Sequence, residues 1–267
     1  MSKIIDCTTF YNENLLINTR FEILKDVVDH FIICESKFDH SGNPKTINFE
    51  LLNNNFSKKI KHIVIDKNFP QPIIPWKNEE IQREILMNHL SDYDDEDYIM
   101  YSDADEIPNP SILRNIMLNK KFGIFFQKNY IYKINIFNQH ETPWEGTRIC
   151  KKKDLKSIFH LRKKIASRNL KKAFWKFYIE KNIEILLDGG WHFNNLYNLE
   201  TISQKLKVFP HKEYSMAYFS DVKKIKKRIH NLEDLFDRGH KYQKVLLDKS
   251  FPKYILENKE LFKDFIL

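Results

Sequence analysis

The sequence predicts an α/β fold in which a central, mostly parallel sheet is flanked by helices and followed by a helical carboxyl-terminal region. Two observations predict it. Short apolar runs alternate with segments of helical periodicity through the first half, as in βαβ units, and the last part of the chain has helical spacing. With 42% hydrophobic and 30% charged residues, the 267-residue chain has the composition of a folded protein.

The elements follow from these patterns in chain order. Continuous apolar runs predict strands at 3–10, 29–35, 61–66 and 97–102, and aromatic and β-branched residues predict one long or two short strands in 123–137. Helical spacing and capping residues predict helices at 12–24, 76–90 and 110–119. A strand at 183–187 should end in a tight turn at 188–193, and 251–267 reads as a short amphipathic tail.

Cysteine usage and hydropathy bound the compartment. The three cysteines are widely spaced and form no metal-binding pattern, which favours a reducing environment. No apolar stretch approaches the roughly 18 residues that span a bilayer, and the amino terminus does not resemble a signal peptide. These features predict a cytoplasmic protein, and the length of the chain predicts a single domain over 1–267.

The positive charge is concentrated in one segment. Residues 151–182 carry twelve Lys or Arg against two acidic residues, a net charge of +10, whereas the whole chain carries +8. Such a segment indicates an anionic partner, which is a membrane surface, a phosphate-bearing substrate or nucleic acid. A solvated helix face in a lysine-rich protein explains the same composition.

An acidic turn, YSDADEIP at 101–108, follows the fourth predicted strand. Alternate strand residues point to one side, so Asp103 and Asp105 can converge on one hard divalent cation, Mg²⁺ or Mn²⁺. An EF-hand is excluded, because Pro108 and Arg114 occupy the positions that need Gly and Glu. The mid-chain position favours a nucleotide-sugar glycosyltransferase over an aspartyl phosphohydrolase, and a solvated acidic turn remains open.

Several stretches together resemble glycosyltransferase family 17. They are IIDCTTFYNENLL at 4–16, VVDHFIICES at 27–36, PWKNEEIQRE at 75–84, YSDADEIPNP at 101–110, GGWHF at 189–193 and, more weakly, FPKYILENKELFKDFI at 251–266. The resemblance implies a GT-A-like nucleotide-diphosphosugar transferase fold, a UDP-N-acetylglucosamine-type donor, a divalent cation, inversion and a glycan acceptor. It also implies a nucleotide-sugar half, 1–120, and an acceptor half, 121–267.

The resemblance assigns the candidate donor and metal residues. It implies that Asp105 binds the metal, that Asp103 steadies it beside the donor diphosphate, and that His192 supplies a further contact, although a histidine between aromatics is more often a core residue. The remaining donor-binding candidates are Asn12 and Glu13, with helix capping as their alternative role, Glu35 at the end of the second strand, and Gln82 and Arg83 on one helix. Arg83 can pair with Glu79 or reach the diphosphate. Glu106 is expected to cap the following turn.

Inverting transfer needs a base that takes the proton of the acceptor hydroxyl. Glu145, in a loop with an aromatic residue and a glycine, is the first candidate, Asp188 the second and Glu141 the third. The competing class is a nucleic-acid-binding protein, suggested by the aromatics within 151–182. In a transferase that builds surface glycans, the same segment predicts peripheral contact with the anionic inner face of a membrane.

Overall fold

The computed structural model describes residues 2–207 and 217–267. The chain forms two compact units, each built from two stretches of sequence. The first comprises Met1–Gln127 and Glu145–Gly190, and the second Lys128–Trp144 and Trp191–Leu267. The basic segment 151–182 therefore belongs to the first unit.

The strands and helices alternate through the first half as expected. The strands are β1 Ile4–Phe10, β2 His30–Ser36, β3 Ile60–Ile65, β4 Tyr98–Asp103, β5 Glu106–Pro108, β6 Phe122–Ile131, β7 Ile136–Phe137, β8 Trp144–Lys151, β9 Ile183–Leu186, β10 Gly190–Asn194 and β11 Gln243–Lys244. The α-helices are α1 Asn14–Leu24, α2 Pro75–Ile85, α3 Pro110–Leu113, α4 Leu199–Lys207, α5 Ala217–Ser220, α6 Val222–His230 and α7 Lys253–Glu257.

The sheet of the first unit has the order β3-β2-β1-β4-β8-β6, with β9 beside β6. β1 runs parallel to β2 and β4, and β2 runs parallel to β3. β8 is antiparallel to β4. Thr9 near the end of β1 pairs with Asp103 at the end of β4, so the acidic turn leaves the sheet at its carboxyl edge. This is the edge at which open α/β sheets bind ligands.

Both faces of this sheet are buried, which explains why its strands read as continuous apolar runs. On one face, Ile5, Ile32 and Ile99 pack with Leu161 and Ile165 of the basic segment. On the other face, the alternate residues of the same strands pack against α1; they include Ile4, Phe31, Met100, Ile17 and Phe21. The apolar residues at 161 and 165 thus anchor a segment that is otherwise strongly basic.

The second unit joins the end of β6 to β7 and β10, and β7 to β11. β10 is parallel to β6, and the other pairings are antiparallel. Its core combines Ile131 and Ile136 of the strands with Ile202, Ile225 and Ile229 of α4 and α6. The expected helical carboxyl-terminal region is confirmed for 199–207, 217–220, 222–230 and 253–257, and it also carries the short strand β11.

Three expectations about local structure were wrong. The helix expected at 110–119 ends at Leu113, because Ile116 and Leu118 both pack on the core although a helix would turn them to different sides. PWEGT is not a loop, since most of it lies in β8. The segment after Asp188 turns and then continues as the strand β10.

The described residues contain no helix that is both long enough and apolar enough to cross a membrane. All three cysteines are buried and unpaired. Burial raises the pKa of the Cys34 thiol to about 12, and burial also raises the pKa values of the Cys7 and Cys150 thiols well above their usual range. The cysteines are therefore core residues.

Candidate active site

The acidic turn connects β4 to β5, and arginines neutralise two of its carboxylates. Arg162 donates from Nη2 to Asp103 Oδ2 at 2.5 Å, and its two terminal nitrogens donate to Glu106 at 2.7 and 2.9 Å. Arg83 Nη2 lies 3.3 Å from Asp103 Oδ1, to which the Tyr101 hydroxyl also donates at 3.0 Å. Although burial opposes ionisation, Arg162 and Arg83 hold the pKa of Asp103 well below its usual range.

Glu106 closes the turn at 103–106 itself, and Asn109 caps the helix α3 that follows, with its side chain accepting from Ser111 N. The Glu106 carboxylate accepts the backbone N–H of Asp103 at 3.1 Å as well as the bidentate contact from Arg162. The side chain of Glu106 is buried, and a buried carboxylate is tolerated only with such partners. Glu106 is therefore a fixed part of the turn.

A fully buried ion pair lies beneath the turn. Arg20 on α1 makes two hydrogen bonds to Asp6 on β1, at 2.6 and 2.7 Å, and donates to the Ser102 hydroxyl at 2.9 Å. A further Arg20 N–H donates to the carbonyl of Glu106. Since Arg20 and Asp6 have no exposed side-chain surface, the pair fixes both ends of the turn from inside the protein.

The fit of a divalent cation to this turn rests on Asp105. Both carboxylate oxygens of Asp103 accept from arginines, and within residues 2–207 and 217–267 no group of three or more His, Cys, Asp or Glu side chains could hold a metal ion. Mg²⁺-type ions are often held by only one or two carboxylates together with substrate phosphates. The half-buried Asp105 fits that mode, whereas Asp103 is a poor direct ligand.

Arg83, on α2, makes the expected pair with Glu79 at 2.7 Å and also reaches the acidic turn. Its Nε donates to the Tyr101 hydroxyl at 2.8 Å, while its Nη1 is buried and has no acceptor among the described residues. Burial would lower the pKa of this guanidinium, but Tyr101 and Asp103 raise it. Arg83 is therefore a permanent cation whose terminal nitrogen Nη1 has unused N–H donors.

Glu35 ends β2 and is completely buried. Its carboxylate accepts from Lys45 Nζ at 2.6 Å and from the backbone N–H groups of Asn48 and Phe49 at 2.7 and 3.1 Å. His62 lies 3.3 Å away. Burial opposes ionisation, but these contacts lower the pKa of Glu35 below its ordinary value. The carboxylate fixes segment 45–49 against β2, so its structural role is satisfied without a ligand.

The residues after β1 do not cap α1 as expected. The helix begins at Asn14, with Glu13 at the cap position, and Glu13 Oε2 accepts from the backbone N–H groups of Tyr11 and Asn12 at 3.0 Å. Asn12 is therefore not the cap. Its side-chain oxygen is buried and accepts no hydrogen bond from the described residues. An unsatisfied buried acceptor of this kind is uncommon in folded proteins.

The Gln82 amide is fully used within the fold. It donates to the carbonyl of Cys34 at 2.9 Å and to that of Phe10 at 3.4 Å, and its oxygen lies 2.8 Å from His40 Nε2. These bonds join the ends of β1 and β2 to α2. Gln82 thus positions the helix that carries Arg83.

Glu145, the first candidate base, is also engaged. Its carboxylate accepts from the side chain and the backbone N–H of Ser167, and Arg148 Nη2 lies 3.3 Å away. Arg148 in turn donates to the backbone carbonyls of Glu145, Gly146 and Ile165. This network attaches the basic segment to β8, which gives Glu145 a structural role.

Asp188, the second candidate base, lies on a turn beside the exit of the acidic turn. It is exposed and adopts a positive φ of 49°, and its carbonyl accepts from Asn109 Nδ2 at 3.1 Å. The two glycines that follow allow close approach, because a Cβ on Gly190 would lie 2.2 Å from the carbonyl oxygen of Ile107. The structure therefore brings Asp188 to the strand that follows Asp105.

His192 and Glu141 belong to the second unit. His192 is buried on β10 opposite Asn129, and its ring stacks on Trp144 with centroids 4.6 Å apart. Glu141 Oε2 accepts from the amides of Asn129 and Asn138 at 3.2 and 3.1 Å, and its Oε1 accepts from Arg238 at 3.2 Å. These side chains form a polar and aromatic cluster suited to sugar hydroxyls and sugar faces.

The sequence reasoning missed Arg162, Arg20 and Asp6. Arg162 was counted only as one of twelve basic residues, although the buried residues Leu161 and Ile165 beside it mark an anchored stretch. Arg20 has a weaker signal, an arginine on the buried face of α1. A carboxylate on a neighbouring buried strand is the partner such an arginine needs.

The arrangement at the sheet edge combines fixed cations with carboxylates, and comparison with known proteins defines the class as a glycosyltransferase. The model described as glycosyltransferase family 17 matches residues 1–266, and the chain belongs to that family. Its central, mostly parallel sheet with flanking helices is the α/β architecture that the sequence predicted. This membership favours glycosyl transfer over phosphate hydrolysis or nucleic-acid binding.

The curated relatives match this chain over only part of their length. The rat and human β-1,4-mannosyl-glycoprotein 4-β-N-acetylglucosaminyltransferases are each 32% identical over 116 residues, which is 40% of this chain and 22% of theirs. A solved glycosyltransferase involved in glycosylation of the major capsid of PBCV-1 is 9% identical, with a TM-score of 0.33, over 69% of this chain and 81% of that one.

Proposed function

We propose that the protein transfers N-acetylglucosamine from a UDP-sugar to a glycan acceptor, with inversion at the anomeric carbon and with a divalent cation, Mn²⁺ or Mg²⁺. The family match over 1–266 carries the proposal. The rat and human relatives are N-acetylglucosaminyltransferases, which supports the choice of sugar. The surface-glycan role expected from the sequence gives the acceptor class, a growing polysaccharide or glycoconjugate.

The donor diphosphate would bind beside Arg83 and the acidic turn. The unused, buried N–H of Arg83 supports this placement, because a phosphate oxygen would satisfy it. Arg162 and Arg83 are permanent cations, held by Asp103, and so they can stabilise the negative charge that develops on the leaving diphosphate. Asp105 would hold the cation, which supplies further charge neutralisation when bound.

The nucleoside would lie at the ends of β1 and β2. The unsatisfied oxygen of Asn12 supports a contact with a donor group of the base or ribose. Glu35, Glu13 and Gln82 would act on it indirectly, since their hydrogen bonds fix segment 45–49, the turn at 11–12 and α2.

The acceptor hydroxyl needs a base, and we assign this role to Asp188 in place of Glu145. Asp188 is exposed, whereas the carboxylate of Glu145 is held by Ser167 and Arg148. The proton of the attacking hydroxyl would pass to the Asp188 carboxylate as the bond to the anomeric carbon forms. Glu141 stays a third candidate for the base, and a His192 contact to the metal stays a prediction.

The compartment and the membrane contact are also proposals. Three buried, unpaired cysteines are typical of a reducing compartment, which supports the cytoplasm. The +10 charge of segment 151–182 supports peripheral contact with an anionic membrane surface, where a lipid-linked acceptor would be found.

The test measures UDP release from UDP-N-acetylglucosamine with and without Mn²⁺, since donor hydrolysis needs no known acceptor. We expect Asp105→Asn to lower the rate about a hundredfold or more, as the loss of one electrostatic group at a transition state does. Asp95→Asn, in the exposed loop before β4, is the matched control and should keep full activity. Calorimetry of Mn²⁺ binding in the presence of UDP gives a second reading that does not depend on turnover.

Full metal-independent activity, or an Asp105→Asn enzyme that retains both its rate and its Mn²⁺ affinity, would contradict the metal assignment. The same assay with other UDP-sugars tests the sugar. If UDP is released faster from UDP-glucose or UDP-galactose than from UDP-N-acetylglucosamine, the proposed donor sugar is wrong. The family assignment does not depend on this result.

A further inference from the structure

A loop in the basic segment exposes four aromatic side chains within five residues. Phe174, Trp175, Phe177 and Tyr178 retain 78, 64, 86 and 82% of their surface exposed. Soluble surfaces rarely leave such residues in contiguous groups, and when they do, the group marks an interaction site. The loop lies wholly within the first unit.

Two consecutive backbone turns carry these four aromatic side chains. Lys176 N–H bonds to the carbonyl of Ala173, and Ile179 N–H bonds to the carbonyl of Lys176, both at 3.1 Å. The two bonds close consecutive turns, and the four aromatics occupy the central positions of those turns. Central turn positions usually hold Gly, Asn, Asp, Pro or Ser, so large aromatics there are not explained by turn formation. Local packing does not explain them either, since they stay exposed.

The base of the loop is fixed to the protein. Lys181 Nζ donates to the carbonyl of Ala173 at 2.6 Å, and Asn169 at the entry is buried and donates to the carbonyl of Lys164 at 2.7 Å. Phe174 and Trp175 contact each other edge to face with centroids 5.1 Å apart. The base of the loop is thus held in place before any partner binds, which reduces the entropic cost of binding.

The charges around the tip indicate the partner. Lys171, Lys172 and Lys176 form no salt bridge with any carboxylate of the described residues, unlike Lys151 and Lys153, which pair with Glu96. Aromatic side chains between unpaired lysines match the boundary of an anionic bilayer, where Trp and Tyr lie at the headgroups and Lys meets phosphate. A protein partner is a poorer match, because surfaces that bind other proteins are depleted in lysine.

We propose that the aromatic loop 173–179 inserts into the interfacial layer of an anionic membrane, with Lys171, Lys172 and Lys176 on the lipid phosphates. This sharpens the proposed contact of segment 151–182 to a few side chains and adds insertion to charge attraction. It does not depend on the proposed transfer reaction, since vesicle binding is measured without turnover.

The test is flotation of the full chain with vesicles of phosphatidylglycerol and phosphatidylcholine, compared with pure phosphatidylcholine. We expect binding to the anionic vesicles only. Replacing all four aromatics by serine should weaken the partition coefficient at least about tenfold, and replacing Lys171, Lys172 and Lys176 by Gln should weaken it roughly a hundredfold. Trp76→Ser is the matched control, because Trp76 is 61% exposed outside the segment, and it should bind like wild type.

A conservative variant guards against misfolding. Acyl chains labelled with bromine should quench wild-type tryptophan fluorescence, Trp175→Phe should remove most of that quenching, and Trp76→Phe should leave it. The proposal is overturned if the serine variant binds anionic vesicles like wild type, or if quenching persists in Trp175→Phe. It is also overturned by duplex DNA binding without vesicle binding, or by sedimentation that shows the loop joining two copies of the chain.

Discussion

Two acidic clusters of similar composition lie close together in the sequence, and their surroundings differ. In loop 92–97, Glu96 is exposed and pairs with Lys151 and Lys153, which lower its pKa to about 2. In the turn 103–106, Asp103 and the buried Glu106 share Arg162. Charge density is therefore a poor guide to a site. The kind of cation that neutralises it, and the burial of that cation, distinguish the two clusters.

The buried Arg20–Asp6 pair is the largest difference between the two clusters, because Arg20 bonds residues at both ends of the turn 103–106. Asp6→Asn leaves Arg20 buried without its counter-charge, and we expect the free energy of unfolding to fall by about 3–5 kcal/mol. Urea denaturation followed by circular dichroism measures it. A loss below about 1 kcal/mol would mean that the pair does not support the turn.

The second largest effect is expected at Arg162, the buried cation of the turn 103–106. Arg162→Ala removes the partner of Asp103 and Glu106, and we expect UDP release to fall about a hundredfold because a preorganised cation is lost. Arg162→Lys should recover only part of the rate, since one ammonium cannot bond Glu106 bidentately. Lys163→Ala, at the next and more exposed position, is the control. Equal rates for wild type and Arg162→Ala would leave the arginine with a structural role only.

The pH dependence of stability sharpens the comparison at Asp103. Its folded-state pKa is depressed, so its contribution is fully present above the unfolded value of about 3.9 and is lost as pH falls toward the folded value. We expect Asp103→Asn to be less stable than wild type by about 1 kcal/mol near neutral pH, and the difference to shrink below about pH 4. A difference that stays constant to pH 3 would contradict the assigned ion pairs.

The smallest effect should come from the exposed loop. Glu96→Gln removes the negative charge that Lys151 and Lys153 pair with, yet exposed pairs at a surface contribute little and are screened by salt. We expect the midpoint of thermal unfolding and the rate of UDP release to match wild type. A clear loss of either would mean that the loop is more than a solvated segment.

The sequence predicted the elements whose signal is local. β1, β2 and β4 are mostly buried apolar runs, and β3, at the edge of the sheet, is only partly buried. All four were predicted with bounds close to those observed. β8 and β10 were missed because their sequences, WEGTRICK and GWHFN, mix glycine with charged or polar and aromatic residues. Neither the helical nor the alternating strand pattern of apolar residues is visible there.

The site was predictable only in part, for a related reason. Asp103, Asp105 and Arg83 lie in short motifs, and the structure brings Arg83 to Asp103. Arg162 pairs with Asp103 across 59 residues of sequence, and spacing within one chain carries no signal for such a partner. Our proposal ranks Asp188 above Glu145 as the base because exposure and hydrogen bonding, which a base requires, are tertiary properties.

The three buried cysteines have a practical consequence. A maleimide reacts with thiolates, and buried thiols with raised pKa values present almost none near pH 7. We therefore expect the native cysteines to react little with a thiol label near pH 7. A single cysteine introduced at the exposed Met117 or Leu246 would carry a fluorophore to one known position, with Cys7, Cys34 and Cys150 left in place.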